Sequence, residues 1–251
     1  MNLELNDKVV LITGAGGAIG QAIAHSFLEE GAVVLVGYRS NPQKIMQWTS
    51  TLSEAHQSRV FPVSIDLNEP LKHSETVSKI VAEHAQIDVL VNCAGAAIEK
   101  PFLILEEGEM EQQMHDNFLG HIKFTKHVLK HMFLQKSGAI VNISSILGAQ
   151  FGRGVTVYAS AKAAIERFSQ ALALEVGKKG IRVNCVCPGM IASKMTNELQ
   201  RNMPPELMQM SPIQRTGTPQ EVADAVLFLS SNSRASYITG TSIAVNGGLG
   251  I

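Results

Sequence analysis

The chain has little that would tie it to a membrane, a nucleic acid or an oxidising compartment. None of its apolar runs reaches the ~18 consecutive residues that a spanning helix requires, which argues against a helical membrane protein. Only three cysteines occur among 251 residues, Cys93, Cys185 and Cys187. None forms a CxxC pair, so reduced, structural thiols are expected rather than a disulfide scaffold or a redox motif. Acidic and basic residues nearly cancel, 22 against 21, with no block of one sign to follow nucleic acid or an anionic membrane. The expected partner is therefore a small molecule. His127 and His131 stand four apart, but no acidic or Cys partner is spaced to complete a site, so no metal is expected. Met1 to Leu5 lacks a basic n-region and leads straight into a strand, so neither signal nor transit peptide is visible and a cytoplasmic location is expected.

What the chain does have is apolar material in strand-sized pieces. Hydrophobic residues make up 45%, enough for a large core. Seven Val- and Ile-rich runs, Val9–Ile12, Val33–Val36, Val60–Val63, Val89–Val91, Ala139–Ile143, Val183–Val186 and Ser242–Val245, recur between helix-length amphipathic segments. Continuous apolarity marks strands buried on both faces, and strand–helix alternation calls for right-handed crossovers in a parallel sheet. The fold class is α/β: a single-domain, doubly wound (Rossmann-type) sheet of seven parallel strands with helices on both faces, spanning residues 1–251. Thr218 and Pro219 read as the N-cap and first residue of a late helix. Near 190–212 the alternation breaks into a Met-rich stretch with Pro204-Pro205, read as a small lid over the strand C-termini or else as a short helical hairpin covering core.

Three motifs carry chemistry. Thr13-Gly14-Ala15-Gly16-Gly17-Ala18-Ile19-Gly20 follows the first strand and opens a helix, where backbone N–H groups and the helix dipole can receive a pyrophosphate. Its closing glycine falls later than in the G-x-G-x-x-G fingerprint, and a purely structural turn stays open. After the second strand, where an NAD site offers a carboxylate to the ribose, the chain reads Gly37-Tyr38-Arg39-Ser40. Arg39 can pair with a 2′-phosphate and stack on adenine, which favours NADP(H) over NAD(H); an ordinary solvated arginine is the alternative. Tyr158 and Lys162 project from one helical face. An ammonium there would stabilise the phenolate and lower a pKa ordinarily ~10, although the bare pair is common on solvated helices.

Taken together, these motifs resemble those of one family. Gly14 to Gly20 resembles the TGxxxGxG turn of the short-chain dehydrogenase/reductases, Asn92-Cys93-Ala94-Gly95 resembles their NNAG, and Asn117, Ser145, Tyr158 and Lys162 fall where their catalytic tetrad belongs. The likeness runs from about Asp7 to Leu249. It implies that Ser145 hydrogen-bonds the substrate oxygen, Tyr158 exchanges a proton with it, Lys162 holds the nicotinamide ribose and lowers the Tyr158 pKa, and Asn117 anchors a water that relays protons toward Lys162. It implies a cofactor site of Gly14, Gly16, Gly17, Ile19, Gly20, Arg39, Ser40, Asp66, Leu67, Asn92, Ala94 and Gly95, joined by Tyr158 and Lys162, with Pro188, Gly189, Ile191 and Ser193 at the nicotinamide. Asp66 would contact the adenine amino group, with a helix N-cap as its competing role.

The chain departs from the family pattern at Ala18, at Cys93 and at Ser193, the last keeping the hydroxyl its role requires. Gly17 stands where many NADP-preferring relatives carry a basic residue, leaving a 2′-phosphate to Arg39 and Ser40. Gly180 to Asn184 and Tyr237 to Gly248 make the chain most similar to β-ketoacyl-acyl-carrier-protein reductases. That implies NADPH-dependent reduction of the 3-keto group of an acyl thioester. Lys136 and Lys179 fall where those reductases dock the acidic carrier protein, with plain surface lysines as the alternative. Gln150, Phe151 and Arg153 would stand at the pocket mouth, Arg153 facing a substrate or carrier anion. The competing readings are a secondary-alcohol dehydrogenase for a steroid, sugar or other small ketone, and a non-catalytic nucleotide sensor on the same fold. Helices expected around Met110–Gln135 and Tyr158–Val176 resemble those that build four-helix interfaces in relatives, so a homotetramer is expected.

Overall fold

The structure, a computed structural model, describes residues 2–150, 152–193 and 211–249. Seven strands form one parallel sheet: β1 Val9–Thr13, β2 Val33–Tyr38, β3 Val60–Ser64, β4 Val89–Asn92, β5 Gly138–Ile143, β6 Ile181–Pro188 and β7 Ser242–Val245. Their order is β3-β2-β1-β4-β5-β6-β7. β1, β4, β5 and β6 are buried along their whole length, as their unbroken apolar runs require. β3 is half exposed and carries Pro62, which an edge strand tolerates because its outer face needs no N–H.

Helices cover both faces: α1 Ala18–Glu29, α2 Pro42–Thr49, α3 Glu54–Gln57, α4 Pro70–His84, α5 Glu107–Met114, α6 Gly120–Gln135, α7 Thr156–Val176 and α8 Pro219–Ser230. Side-chain alternation along β1 sorts the core into two. Val10 and Ile12 pack with Ile23, Phe27, Val222 and Val226 of α1 and α8. Val9 and Leu11 pack with Val77, Phe124, Val128 and Leu172 of α4, α6 and α7. Each large side chain buried this way stabilises the fold by roughly 1.5–3 kcal/mol. The start of α8 is as read from sequence: Thr218 and Glu221 form a reciprocal capping box ahead of Pro219.

Strand order reverses between β1 and β4, which opens a crevice beyond their carboxyl ends. The segments leaving β1, β2, β3, β4, β5 and β6 all emerge on that side. α5 and α6 are joined through a π-helical turn, His115–Leu119, whose extra residue re-aims the chain at Asn117. The expected lid falls mostly outside the described residues, as does Phe151.

Candidate active site

The glycine turn is shaped for close approach. Gly14 has φ +69°, and a Cβ there would lie 2.5 Å from the Ala94 Cα; one on Gly20 would lie 2.5 Å from the Gly14 carbonyl oxygen. The Thr13 hydroxyl ties this turn to the next, accepting from the N–H groups of Cys93 at 3.1 Å and Ala94 at 3.3 Å. α1 begins with Gly17 as N-cap, without a side-chain cap and without an acidic residue in its first turn. Its first N–H groups and its positive dipole end are thus offered to an anion. Ile19 stands in that first turn and Gly16 in the loop before it.

At the adenosine end, Arg39 is exposed and its guanidinium lies 3.9 Å from the Asp116 carboxylate, beside exposed Ser40. Sequence reasoning missed Lys44, whose ammonium would lie 3.9 Å from a Cβ on Gly16. Asn41 caps α2, its side-chain oxygen accepting from the Lys44 N–H at 3.0 Å, and this sets the first turn of α2 over the glycine loop. A lysine two residues after a Pro at a helix start was the only available signal. Asp66 does not cap α4, whose N-cap is Glu69; its carboxylate accepts from the Asn68 N–H at 2.9 Å in a local turn. Leu67 is buried against Gly120.

Asn92 is the last residue of β4. Its side chain turns into the core, donating to Thr125 Oγ1 at 2.9 Å and Asn142 Oδ1 at 2.7 Å, while Asn142 in turn donates to Ser169. It pins β4 to β5 and α6 instead of facing the crevice, because buried amides take buried partners. Ala94 and Gly95 do face it. The Ala94 carbonyl accepts from His121 Nε2 at 2.8 Å, and burial, then the nearby Lys162 charge, push the His121 pKa down to about 3, so this imidazole is neutral. A Cβ on Gly95 would lie 2.8 Å from Asn117 Oδ1 and 3.5 Å from Lys162 Nζ, so Gly95 leaves open the space between those two.

The four polar residues expected to act together do converge. Asn117 is fully buried, and its amide donates to the Ala96 carbonyl at 2.7 Å and the Gln113 carbonyl at 2.9 Å. Its Oδ1 is buried with no hydrogen-bond partner. Lys162 donates to the Ile143 carbonyl at 2.9 Å, and its Nζ sits 5.6 Å from the centroid of the Tyr158 ring. Burial lowers its pKa from 10.5 to about 8. Ser145 closes β5 as the N-cap of a 3-10 turn, its Oγ accepting from the Leu147 N–H at 3.2 Å, and it also hydrogen-bonds Tyr158.

Burial of Tyr158 works against the effect expected of Lys162. Burial raises the Tyr158 pKa above its ordinary value, and only the Ser145 hydrogen bond opposes it. Spacing reveals a neighbour but not the loss of solvent, and here desolvation of the phenolate wins. Tyr158 is held as a neutral phenol. The thiols of half-buried Cys93 and of buried Cys185 and Cys187 are likewise pushed up to about 12, each by loss of solvent, so none is a nucleophile at neutral pH.

Gly189 at the end of β6 lies against Asn246, and its N–H donates to the Val245 carbonyl at 2.9 Å after Pro188. Ile191 is buried and bridges to Gly217, with Ser193 two residues on. Gln150 is half-buried and Arg153 exposed, both between Ser145 and α7. Lys136 and Lys179 flank the other end of the sheet. They precede β5 and β6, so they lie at the sheet end opposite Ser145, ~20 Å away along a six-residue strand. Lys136 takes the left-handed C-cap of α6 and Lys179 stacks its ammonium 4.6 Å from the Phe133 ring.

A family model described as enoyl-(acyl carrier protein) reductase matches residues 14–250. A 3-oxoacyl-(acyl-carrier-protein) reductase FabG of Chlamydia muridarum is 40% identical over 249 residues, covering 99% of this chain and all of that protein. The chain belongs to the short-chain dehydrogenase/reductase family. It is an NAD(P)-dependent oxidoreductase of the CH–OH/C=O class. A protein of the same FabG name from Thermotoga maritima is 35% identical, with 98% of this chain and 99% of that one covered. Among solved structures, an aldohexose dehydrogenase of Thermoplasma acidophilum superposes with TM-score 0.87 at 31% identity, covering 99% of this chain and 96% of that one. The crevice residues fit the family's dinucleotide: glycines where a Cβ would collide with backbone, an uncapped helix N-terminus and a buried orphan oxygen beside Lys162. Among the described residues no helix is long and apolar enough to cross a membrane.

Proposed function

We propose that this protein reduces the 3-keto group of an acyl thioester, using NADPH and taking the proton from Tyr158. The observation that carries this reading is the protonated phenol: a buried Tyr158 whose pKa is raised, hydrogen-bonded to Ser145 and beside Lys162. A neutral phenol can give its proton to a carbonyl oxygen that is gaining charge. Held in the crevice, a nicotinamide would supply the hydride that the carbonyl carbon receives. As negative charge grows on the carbonyl oxygen, the Ser145 and Tyr158 hydroxyls are the donors available to it, and donors fixed beforehand stabilise the transition state more than the ground state. Tyr158 then carries the charge, which the Lys162 ammonium stabilises at short range in a dry site. The partnerless Asn117 Oδ1 is an acceptor for a water that would pass the next proton through Lys162 to Tyr158.

Preference for NADPH rests on Arg39 and Lys44, two cations flanking the glycine loop where no carboxylate ends β2. The Arg39–Asp116 contact must open to admit a 2′-phosphate, at small cost because the contact is long, at 3.9 Å, and Arg39 is itself exposed. Acyl carrier protein as a partner needs more than one chain, since Lys136 and Lys179 sit at the wrong end of their own sheet. Leu119, Phe133, Leu134 and Leu174 leave apolar surface exposed on the π turn, α6 and α7, the helices expected at a tetramer interface. Antiparallel packing of α6 against a copy of itself would carry the lysines of one chain toward the crevice of the other. The chain as a whole then acts as one catalytic domain in the cytoplasm.

The test is purified protein offered NADPH with acetoacetyl and crotonyl thioesters, and NADP+ with a panel of secondary alcohols. Reduction of the acetoacetyl thioester should dominate. Preferential reduction of the crotonyl double bond, as the family model's description would have it, or faster alcohol oxidation, would overturn the proposal.

A further inference from the structure

Sequence spacing draws attention to His127 and His131, but the fold brings a different set of metal-binding side chains together. His25 and Glu29 stand one turn apart near the C-terminal end of α1, the end remote from the glycine loop, and α3 delivers His56 to them. One carboxylate oxygen of Glu29 lies 3.7 Å from His25 Nε2 and 3.6 Å from His56 Nε2. The two imidazoles meet edge to face, with centroids 5.7 Å apart and planes at 86°. We propose that His25, Glu29 and His56 bind one divalent transition-metal ion, Zn2+ foremost, at a site separate from the catalytic crevice.

Three observations support it. The separations are too long for hydrogen bonds, which run ~2.7–3.2 Å. They are close to the ~3.4 Å that separates two ligands of a tetrahedral ion with bonds of ~2.0–2.1 Å. All three ligand atoms lie within 4.8 Å of one another, so a single ion can reach every one with small side-chain movement. The donor set, two imidazole nitrogens and one carboxylate, is a three-ligand zinc arrangement that keeps its fourth position for water. Nitrogen donors also select zinc and its neighbours over Mg2+ and Ca2+, which take oxygen. His56 is the anchor of the set, its side chain only 18% exposed while Glu29 is 59% exposed. A bound ion would tie α1 to the segment that enters β3, so it would act on stability and not on the reacting atoms.

The experiment uses the full chain, stripped with chelator and titrated with Zn2+ against a chromophoric indicator, with thermal melting followed in parallel. One Zn2+ per chain is expected, with a melting temperature that rises with Zn2+ because the ion binds the folded form. Glu29→Gln and His56→Gln should each weaken uptake at least tenfold, and His131→Gln should leave it unchanged. Circular dichroism of the metal-free variants confirms that each is folded. Mg2+ at the same concentrations should shift no melting curve. Undiminished uptake by both Glu29→Gln and His56→Gln, or loss of uptake in His131→Gln alone, would overturn the assignment.

Discussion

Replacing Lys162 by methionine should make the cofactor-free protein more stable at neutral pH while removing its activity. Lys162 is 4% exposed, and burial brings its pKa from 10.5 to about 8. That difference corresponds to about 3 kcal/mol of folding free energy lost wherever lysine is charged in both states, below pH 8. Methionine fills a similar volume but cannot donate to the Ile143 carbonyl, which forfeits about 1–2 kcal/mol. A net gain of about 1–2 kcal/mol is left for the variant at pH 7. Between pH 8 and 10.5 the unfolded lysine holds a proton that the folded one has released, so stability attributable to Lys162 rises with pH and the variant's advantage disappears. The three thiols held near 12 work in the opposite direction, ionising in the unfolded chain first, but they do so in both proteins. The difference between wild type and variant therefore isolates Lys162. Urea unfolding of both, under reducing conditions at pH 7 and pH 10, measures it. A variant less stable than wild type by the same amount at both values would refute the reasoning.

Lys44→Gln and Arg39→Ala should each raise the dissociation constant for NADPH about tenfold while changing that for NADH less than twofold, as measured by nicotinamide fluorescence; equal loss for both cofactors would mean that neither residue meets a 2′-phosphate. Asn117→Ala strands the carbonyls of Ala96 and Gln113, which should cost about 1–3 kcal/mol in urea unfolding and should also lower kcat more than it raises KM. A variant with wild-type stability would show that the π turn does not depend on those two bonds.

The sheet was legible because its strands are continuous apolar runs, and both edges showed it less clearly: β3, interrupted by Pro62, and β7, only partly buried. The glycine turn, Ser145, Tyr158 and Lys162 could be found because their chemistry demands those residues at fixed offsets from strand ends. Other features leave no such trace. The π turn that aims Asn117 adds a residue to a helix without changing its composition. Asn92 sits inside a recognisable motif, yet whether its side chain faces crevice or core depends on Thr125 and Asn142, 33 and 50 residues away. Lys136 and Lys179 carry the right charge, and only the strand direction reveals which sheet end they occupy. The His25, Glu29 and His56 group spans two elements and has no spacing to read. Tyr158 shows the limit most sharply, since an adjacent lysine is visible in sequence and the burial that raises its pKa is not.

The most direct test of the account is Tyr158→Phe assayed with NADPH and a 3-oxoacyl thioester, alongside NADPH binding to the same preparation. Loss of the one hydroxyl should lower kcat by at least the ~10²–10⁴-fold of general acid catalysis, with the dissociation constant for NADPH within about twofold of wild type. Turnover preserved in the variant, with cofactor still bound, would contradict the claim that this phenol supplies the proton.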